Sequence, residues 1–179
     1  NVGDPFIEST YKINSREFET EVIAFFAELY KLKDFWGYIT TCGTEGNFSG
    51  IHLGRETYPN GIFYYSKDSH YSIAKASRFL KLEETVIESQ ENGEMDYDDF
   101  EVKLDSSRPV IINANIGTVV KGGIDNLDKI ESILLKKGVT DYYIHCDMAL
   151  NGMILPYLDG APNIDFKRNI GSISISGHK

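Results

Sequence analysis

Cysteine is scarce: Cys42 and Cys146 are the only two in 179 residues, which argues against a disulfide framework and for a hydrophobic core holding the chain. No signal-peptide pattern opens the sequence, which with so few cysteines points to a reducing cytoplasm. Positive charge is also short. Lys plus Arg number 18 against 27 Asp plus Glu, a formal charge of −9, which excludes a basic nucleic-acid surface or one drawn to anionic membranes. Any phosphate must therefore be held locally. No apolar run approaches the ~20 residues that a membrane span needs.

Several familiar signatures are missing. There is no G-x-x-x-x-G-K-[ST] and no G-x-G-x-x-G, so nucleotide and dinucleotide readings lack support. His52, His70, His145 and His178 form no H-x-H or H-E-x-x-H pair and the cysteines form no C-x-x-C, so no metal site is predicted. Ser72 and Lys75 frame an S-x-x-K that no S-D-N or K-T-G follows. Asn47, Phe48 and Ser49 spell a glycosylation sequon without an export signal to use it.

What remains is ordinary for a globular chain with one core: 41% hydrophobic and 25% charged residues. Residues 1–10 read as a loop. Ser15 looks like an N-cap for a helix over 15–32, with Glu17 and Glu19 in its first turn and Phe18, Val22, Phe25, Phe26 and Leu29 at helical spacing. A short helix follows to about residue 56, carried by Phe48, Ile51 and Leu53, and a turn spans 58–61. The pattern then alternates. Strands are predicted over 62–65, 84–88, 109–115, 142–147 and 172–176, and helices over 69–80, 96–104 and 126–137, the last closed by Gly138. Strands separated by helices imply an α/β fold with a mostly parallel sheet flanked by helices, ligands sitting at the strands' carboxyl ends. The domain reading is a lead-in segment over 1–14 and one domain over 15–179. A buried strand just before Gly177, His178 and Lys179 suggests a piece of a longer polypeptide.

Three segments fall at predicted strand ends. Gly43, Thr44, Glu45, Gly46 and Asn47 follow Cys42 into a helix whose first N–H groups can hold a phosphate, although a plain helix start reads the same way. Asp147 ends the 142–147 strand, sharing a face with His145 and, should the strand continue, with Ala149; a strand-end acid is also a common cap. A small-residue strand delivers Ser176, His178 and Lys179, and an isolated lysine is ordinarily just solvated. Together, a phosphate cradle, a carboxylate and an amine are the parts that hold pyridoxal phosphate: the amine forms an imine with the aldehyde, and the acid pairs with the pyridine nitrogen.

At these residues the sequence resembles the pyridoxal-phosphate-dependent group II amino-acid decarboxylases, in the branch of histidine and serine decarboxylases. The resemblance runs through residues 1–6, 36–47, 65–72, 113–118, 143–149 and 174–179, the whole chain in family order. It implies a large, cofactor-binding domain of the aspartate-aminotransferase (type I) fold and a homodimer. By the same resemblance Lys179 is the imine-forming lysine, Asp147 the partner of the pyridine nitrogen and His70 the imidazole stacked on the ring. Gly43, Thr44, Ser176 and His178 contact the phosphate. Ala149 lies under the ring, and Thr118 lies near Asp147 and the cofactor edge. Met148 and Val119 depart from the usual small residue and second Thr, and are expected to reshape the pocket. Residues 4–9 favour the serine branch and residues 64–68 the histidine branch, with histidine preferred as substrate and serine the alternative. A catalytically silent binding subunit is the further alternative, against which the retained Lys179, Asp147 and His70 argue.

Overall fold

The structure, a computed structural model, describes residues 4–179; residues 1–3, part of the predicted loop and of the first resembling stretch, lie outside the described residues. The chain forms two compact units. The first comprises the described residues up to Thr41 together with Asn163–Arg168. Its helix α1 (Arg16–Leu29) is shorter than the sequence suggests. Lys31 adopts a left-handed conformation (φ 61°), and Leu32 N–H turns back to the Ala27 carbonyl, which closes the helix. Ser15 stands before α1 but gives no side-chain cap; its carbonyl accepts from Glu19 N–H. The predicted apolar stripe is largely outside: Phe18, Val22 and Phe25 are exposed, while Glu19 is buried and accepts from Ile39 N–H at 2.9 Å.

The second unit, Cys42–Pro162 with Asn169–Lys179, holds the sheet. After α2 (Gly43–Thr57) come β1 (Ile62–Ser66), α3 (Tyr71–Leu80), β2 (Glu83–Ile87), α4 (Tyr97–Lys103), β3 (Val110–Asn115), α5 (Leu127–Lys136), β4 (Tyr142–Asp147) and β5 (Ser172–Ser174). The five strands lie in the order β2-β1-β3-β4-β5 and every pairing is parallel. From β1 the chain goes outward to β2 and then crosses back to β3 on the other side, which makes the carboxyl ends of β1 and β3 a switch point. Two predicted helix starts are real caps: Asp96 accepts from the N–H groups of Asp98 and Asp99, and Asn126 accepts from Lys129 N–H. Gly138 ends α5 at φ +73° as expected.

β1 and β3 are buried along their whole length, so their residues serve both faces. Phe63, Tyr65 and Ile111 meet Ile51 of α2 and Ile73 of α3 on one side, while Tyr64 meets Phe100 of α4 on the other, ring centroids 5.7 Å apart. β5 is shorter than predicted because its neighbour β4 stops at Asp147: Met148 N–H takes the Ser174 carbonyl, and beyond it no strand remains to pair with Ile175 and Ser176. For the same reason Ala149 is not on a strand.

Of the apolar series on α2, Ile51 and Phe48 pack against the sheet, and missing side chains bring the helix closer still. Leu53 is exposed, whereas a Cβ on Gly50 would collide with the His145 ring, and one on Gly54 would come within 2.9 Å of Ile111 and Tyr143. Gly50→Ala in the complete protein is therefore expected to cost about 1–3 kcal/mol, read as a lower urea midpoint at unchanged slope. An unchanged midpoint would mean that α2 can lift off β4.

Candidate active site

A cavity of about 260 Å³ opens at the switch point. Its walls come from the start of α2, the residues after β1, β3 and β4, and the segment after β5. All nine residues assigned by resemblance line it: Gly43, Thr44, His70, Thr118, Asp147, Ala149, Ser176, His178 and Lys179. Val119 lines it too, and Met148 does not, being wholly buried. Of the two departures, Val119 therefore stands in the cavity wall itself, and Met148 stands between two lining residues, Asp147 and Ala149.

At one end Gly43 and Thr44 begin α2 after Cys42, an extended residue that offers no side-chain cap. The carbonyl of Cys42 accepts from Glu45 and Gly46 N–H, so the groups ahead of them are the donors a helix leaves for an anion. The Ser176 hydroxyl is buried with no partner, and it stands 3.1 Å from where a Cβ on Gly43 would be. A buried hydroxyl left unsatisfied costs about 1–3 kcal/mol. It faces a helix terminus that only Gly can bring so close, and a phosphate oxygen accepting from both removes that cost.

Along the floor, Asp147 ends β4. Its Oδ1 accepts from Ala149 N–H at 3.1 Å and its Oδ2 from Asn47 Nδ2 at 2.8 Å. One oxygen is therefore a cap, as the structural reading of a strand-end acid predicts, and the carboxylate is nonetheless held at the cavity wall. His70 caps α3: its Nδ1 accepts from Ser72 N–H at 3.3 Å and lies 2.7 Å from Ser72 Oγ. Burial lowers the His70 pKa; Asp147 opposes that and Lys179 adds to it. The S-x-x-K pair does no chemistry of its own, for Ser72 is buried against Asn47 and His70. Thr118 turns its hydroxyl to Gly123 N–H at 2.9 Å, which fixes the loop after β3 at the cavity edge. Lys179 and His178 are exposed.

Three groups, Asn47 in the cavity wall and His145 and Asp125 away from it, were invisible to sequence patterns. Asn47, read only as part of the cradle and a sequon, is buried and bonded on both edges of its amide. His145 lies wholly buried beneath α2, its pKa pushed down to about 4 by burial. Asp125, also buried and raised to about 7, accepts from Met95 and Asn115 N–H and so braces the end of β3. A buried Asn, His or Asp carries no local signature; the crossing of α2 over β4 brings Asn47 and His145 together.

The pyridoxal-dependent decarboxylase conserved domain matches residues 56–179. The chain belongs to this family. Serine decarboxylase 1 of Oryza sativa subsp. japonica is 49% identical over the whole of this chain and 38% of its own length. The histidine decarboxylase of Solanum lycopersicum is 50% identical over all of this chain and 45% of its own, and that of Morganella morganii 49% over all of this chain and 49% of its own. The chain thus spans about half the length, or less, of the curated relatives it matches. Among solved structures, L-methionine decarboxylase from Streptomyces sp. 590 superposes with a TM-score of 0.87 at 23% identity, over 100% of this chain and 56% of that one. Glutamate decarboxylase of Lactobacillus brevis gives 0.79 at 19% identity, over 92% and 42%. These likenesses show the type I fold. Pyridoxal phosphate is the cofactor to which the family and this residue set correspond.

Proposed function

We propose that the complete protein uses this site to decarboxylate an L-amino acid, L-histidine first. The observation that carries the reading is the unpartnered Ser176 hydroxyl facing the start of α2, in one cavity with His70, Asp147 and Lys179. Residues 15–179 are assigned to the cofactor-binding domain of a homodimeric cytoplasmic enzyme. Neither cysteine is in a disulfide, and no helix among the described residues is long and apolar enough to cross a membrane.

When bound, the cofactor supplies a conjugated pyridinium that takes up the electron pair left as carbon dioxide departs. The chain's residues prepare for that. Gly43, Thr44, Ser176 and His178 hold the phosphate end and so fix the long axis. Asp147 places negative charge at the pyridine nitrogen and keeps a proton there. His70, anchored by its own helix cap, covers one face of the ring, and Ala149 leaves room at the cavity wall because it carries only a methyl. The Lys179 amine holds the cofactor until substrate replaces it.

Identity to the rice serine decarboxylase equals that to the histidine decarboxylases, which keeps serine as the second reading. An imidazole needs a wide pocket with polar partners, a hydroxymethyl group a small one, and a buried polar group left unpaired by the wrong substrate separates them. L-Histidine is expected to exceed L-serine in kcat/KM by about a hundredfold or more. Histamine and ethanolamine measured side by side decide this. Ethanolamine as the faster product overturns the histidine assignment, and transamination without carbon dioxide release overturns the reaction class.

A further inference from the structure

A polar cluster centred on Asn47 runs inward from the cavity wall. Its Nδ2 donates to Asp147 Oδ2 at 2.8 Å and to Ser72 Oγ at 3.0 Å; its Oδ1 accepts from Ser174 Oγ at 2.5 Å and lies 3.1 Å from His145 Nε2. A carboxylate only accepts, so the amide nitrogen must face Asp147 and the oxygen must face His145. That orientation propagates in two directions. His145 must donate from Nε2, leaving Nδ1 to accept from Ser172 Oγ at 2.8 Å. Toward His70, Nδ1 accepts from Ser72 N–H at 3.3 Å and so bears no proton, which makes Ser72 Oγ, itself the acceptor of Asn47 Nδ2, the donor to Nδ1 at 2.7 Å. His70 therefore carries its ring proton on Nε2.

We propose that Asn47 is a positioning residue: its one amide nitrogen ties the Asp147 carboxylate to the His70 imidazole through Ser72, setting the spacing of those two groups. The side-chain chemistry restricts the position. Two donors on one edge and an acceptor on the other, at this length, are what an asparagine offers. A carboxylate in its place would set a second acceptor against Asp147, and a leucine would leave Asp147 Oδ2 and Ser72 without their donor. All four bonds of the amide are made inside the protein, so the nitrogen has no freedom to turn and the distance between its two partners is fixed. Under the proposed function, those partners are the groups that address the nitrogen and one face of the ring. The consequence for the cofactor rests on that reading; the tautomer does not.

A buried network serving only stability would leave the cofactor affinity alone once the variant is folded. The complete protein labelled with ¹⁵N-histidine, examined without cofactor near neutral pH, is expected to show His70 protonated at Nε2. Ser72→Ala keeps the Asn47–Asp147 bond and the backbone N–H bond to His70 Nδ1 and removes only the hydroxyl link. It should leave the His70 proton on Nε2 and weaken pyridoxal phosphate binding by about fivefold. Asn47→Asp, nearly isosteric and so expected to fold, should weaken it by about thirtyfold or more, and Asn47→Ala similarly. Nδ1 protonation of His70 in the unaltered protein overturns the hydrogen-bond assignment. Affinity within twofold of the unaltered protein in both Ser72→Ala and Asn47→Asp overturns the positioning role. Were the unaltered protein to show the stated tautomer yet bind no pyridoxal phosphate, the functional reading would fail while the tautomer stood.

Discussion

Lys179→Ala in the complete protein is expected to abolish turnover, with a loss in kcat of about 10⁴-fold or more, and to end covalent retention of the cofactor. The lining of the cavity dictates this. Lys179 is the one lysine there among the described residues, and its charge is felt at His70 on the opposite wall. Four of the unit's eight other lysines are paired elsewhere: Lys67 to Glu88 at 2.6 Å, Lys121 to Asp68 at 2.8 Å, Lys103 to Asp99 at 2.8 Å and Lys136 to Glu101 at 2.5 Å, and none of the eight lines the cavity. Exposed pairs of this kind are individually weak, about 0–1 kcal/mol, so it is distance from the cavity rather than pairing that disqualifies them. Carbon dioxide release measures the rate. Borohydride reduction followed by peptide mass spectrometry locates the attachment, expected on Lys179 in the unaltered protein and nowhere in the variant. A cofactor-labelled peptide carrying another lysine, or activity within tenfold, would sink the assignment.

Much of the fold was legible because burial leaves a mark in composition. The run over 109–115 reads as a strand covered on both faces, and β3 is buried throughout. Gly138 reads as a helix stop and takes the positive φ that only Gly adopts freely. What failed was local inference about groups whose partners lie far off in sequence. Phe18, Val22 and Phe25 have helical spacing, yet spacing tells only that they share a face, not that anything covers it. Lys31 and Lys81 end helices in left-handed conformations that nothing in a lysine announces. The site shows the same division. Lys179, Asp147 and the Gly43-Thr44 cradle stand at strand and helix ends, where chemistry can be read from position. Asn47 and His145 act through bonds that span 98 to 127 residues, and pairing at that range is created by the fold alone. The glycines of α2 show why: Gly50 looks like a defect in a helix until the His145 ring beneath it is seen.

Asp147→Asn tests whether the carboxylate does more than cap a turn, and its expected cost is about a thousandfold in kcat or more. The variant should fold. The introduced amide would keep an oxygen to accept from Ala149 N–H, and at most one of the two bonds made by the carboxylate, that to Asn47, would be lost. A hydrogen bond to a charged group is worth about 1.5–3 kcal/mol, too little to unfold a domain with a buried five-stranded sheet. The loss at the pyridine nitrogen is larger. Two opposite charges about 4 Å apart at an effective dielectric of 20 gain ~4 kcal/mol, equivalent to about three pKa units of bias toward the protonated ring. An amide supplies no such charge, and the same ~4 kcal/mol lost at the barrier is about three powers of ten in rate. Stability and rate should therefore separate: a urea midpoint only modestly below that of the unaltered protein, covalently retained cofactor, and a kcat lower by about a thousandfold. A variant within tenfold of the unaltered rate would show that the bond to Ala149 N–H, the strand-end cap, is all that Asp147 contributes.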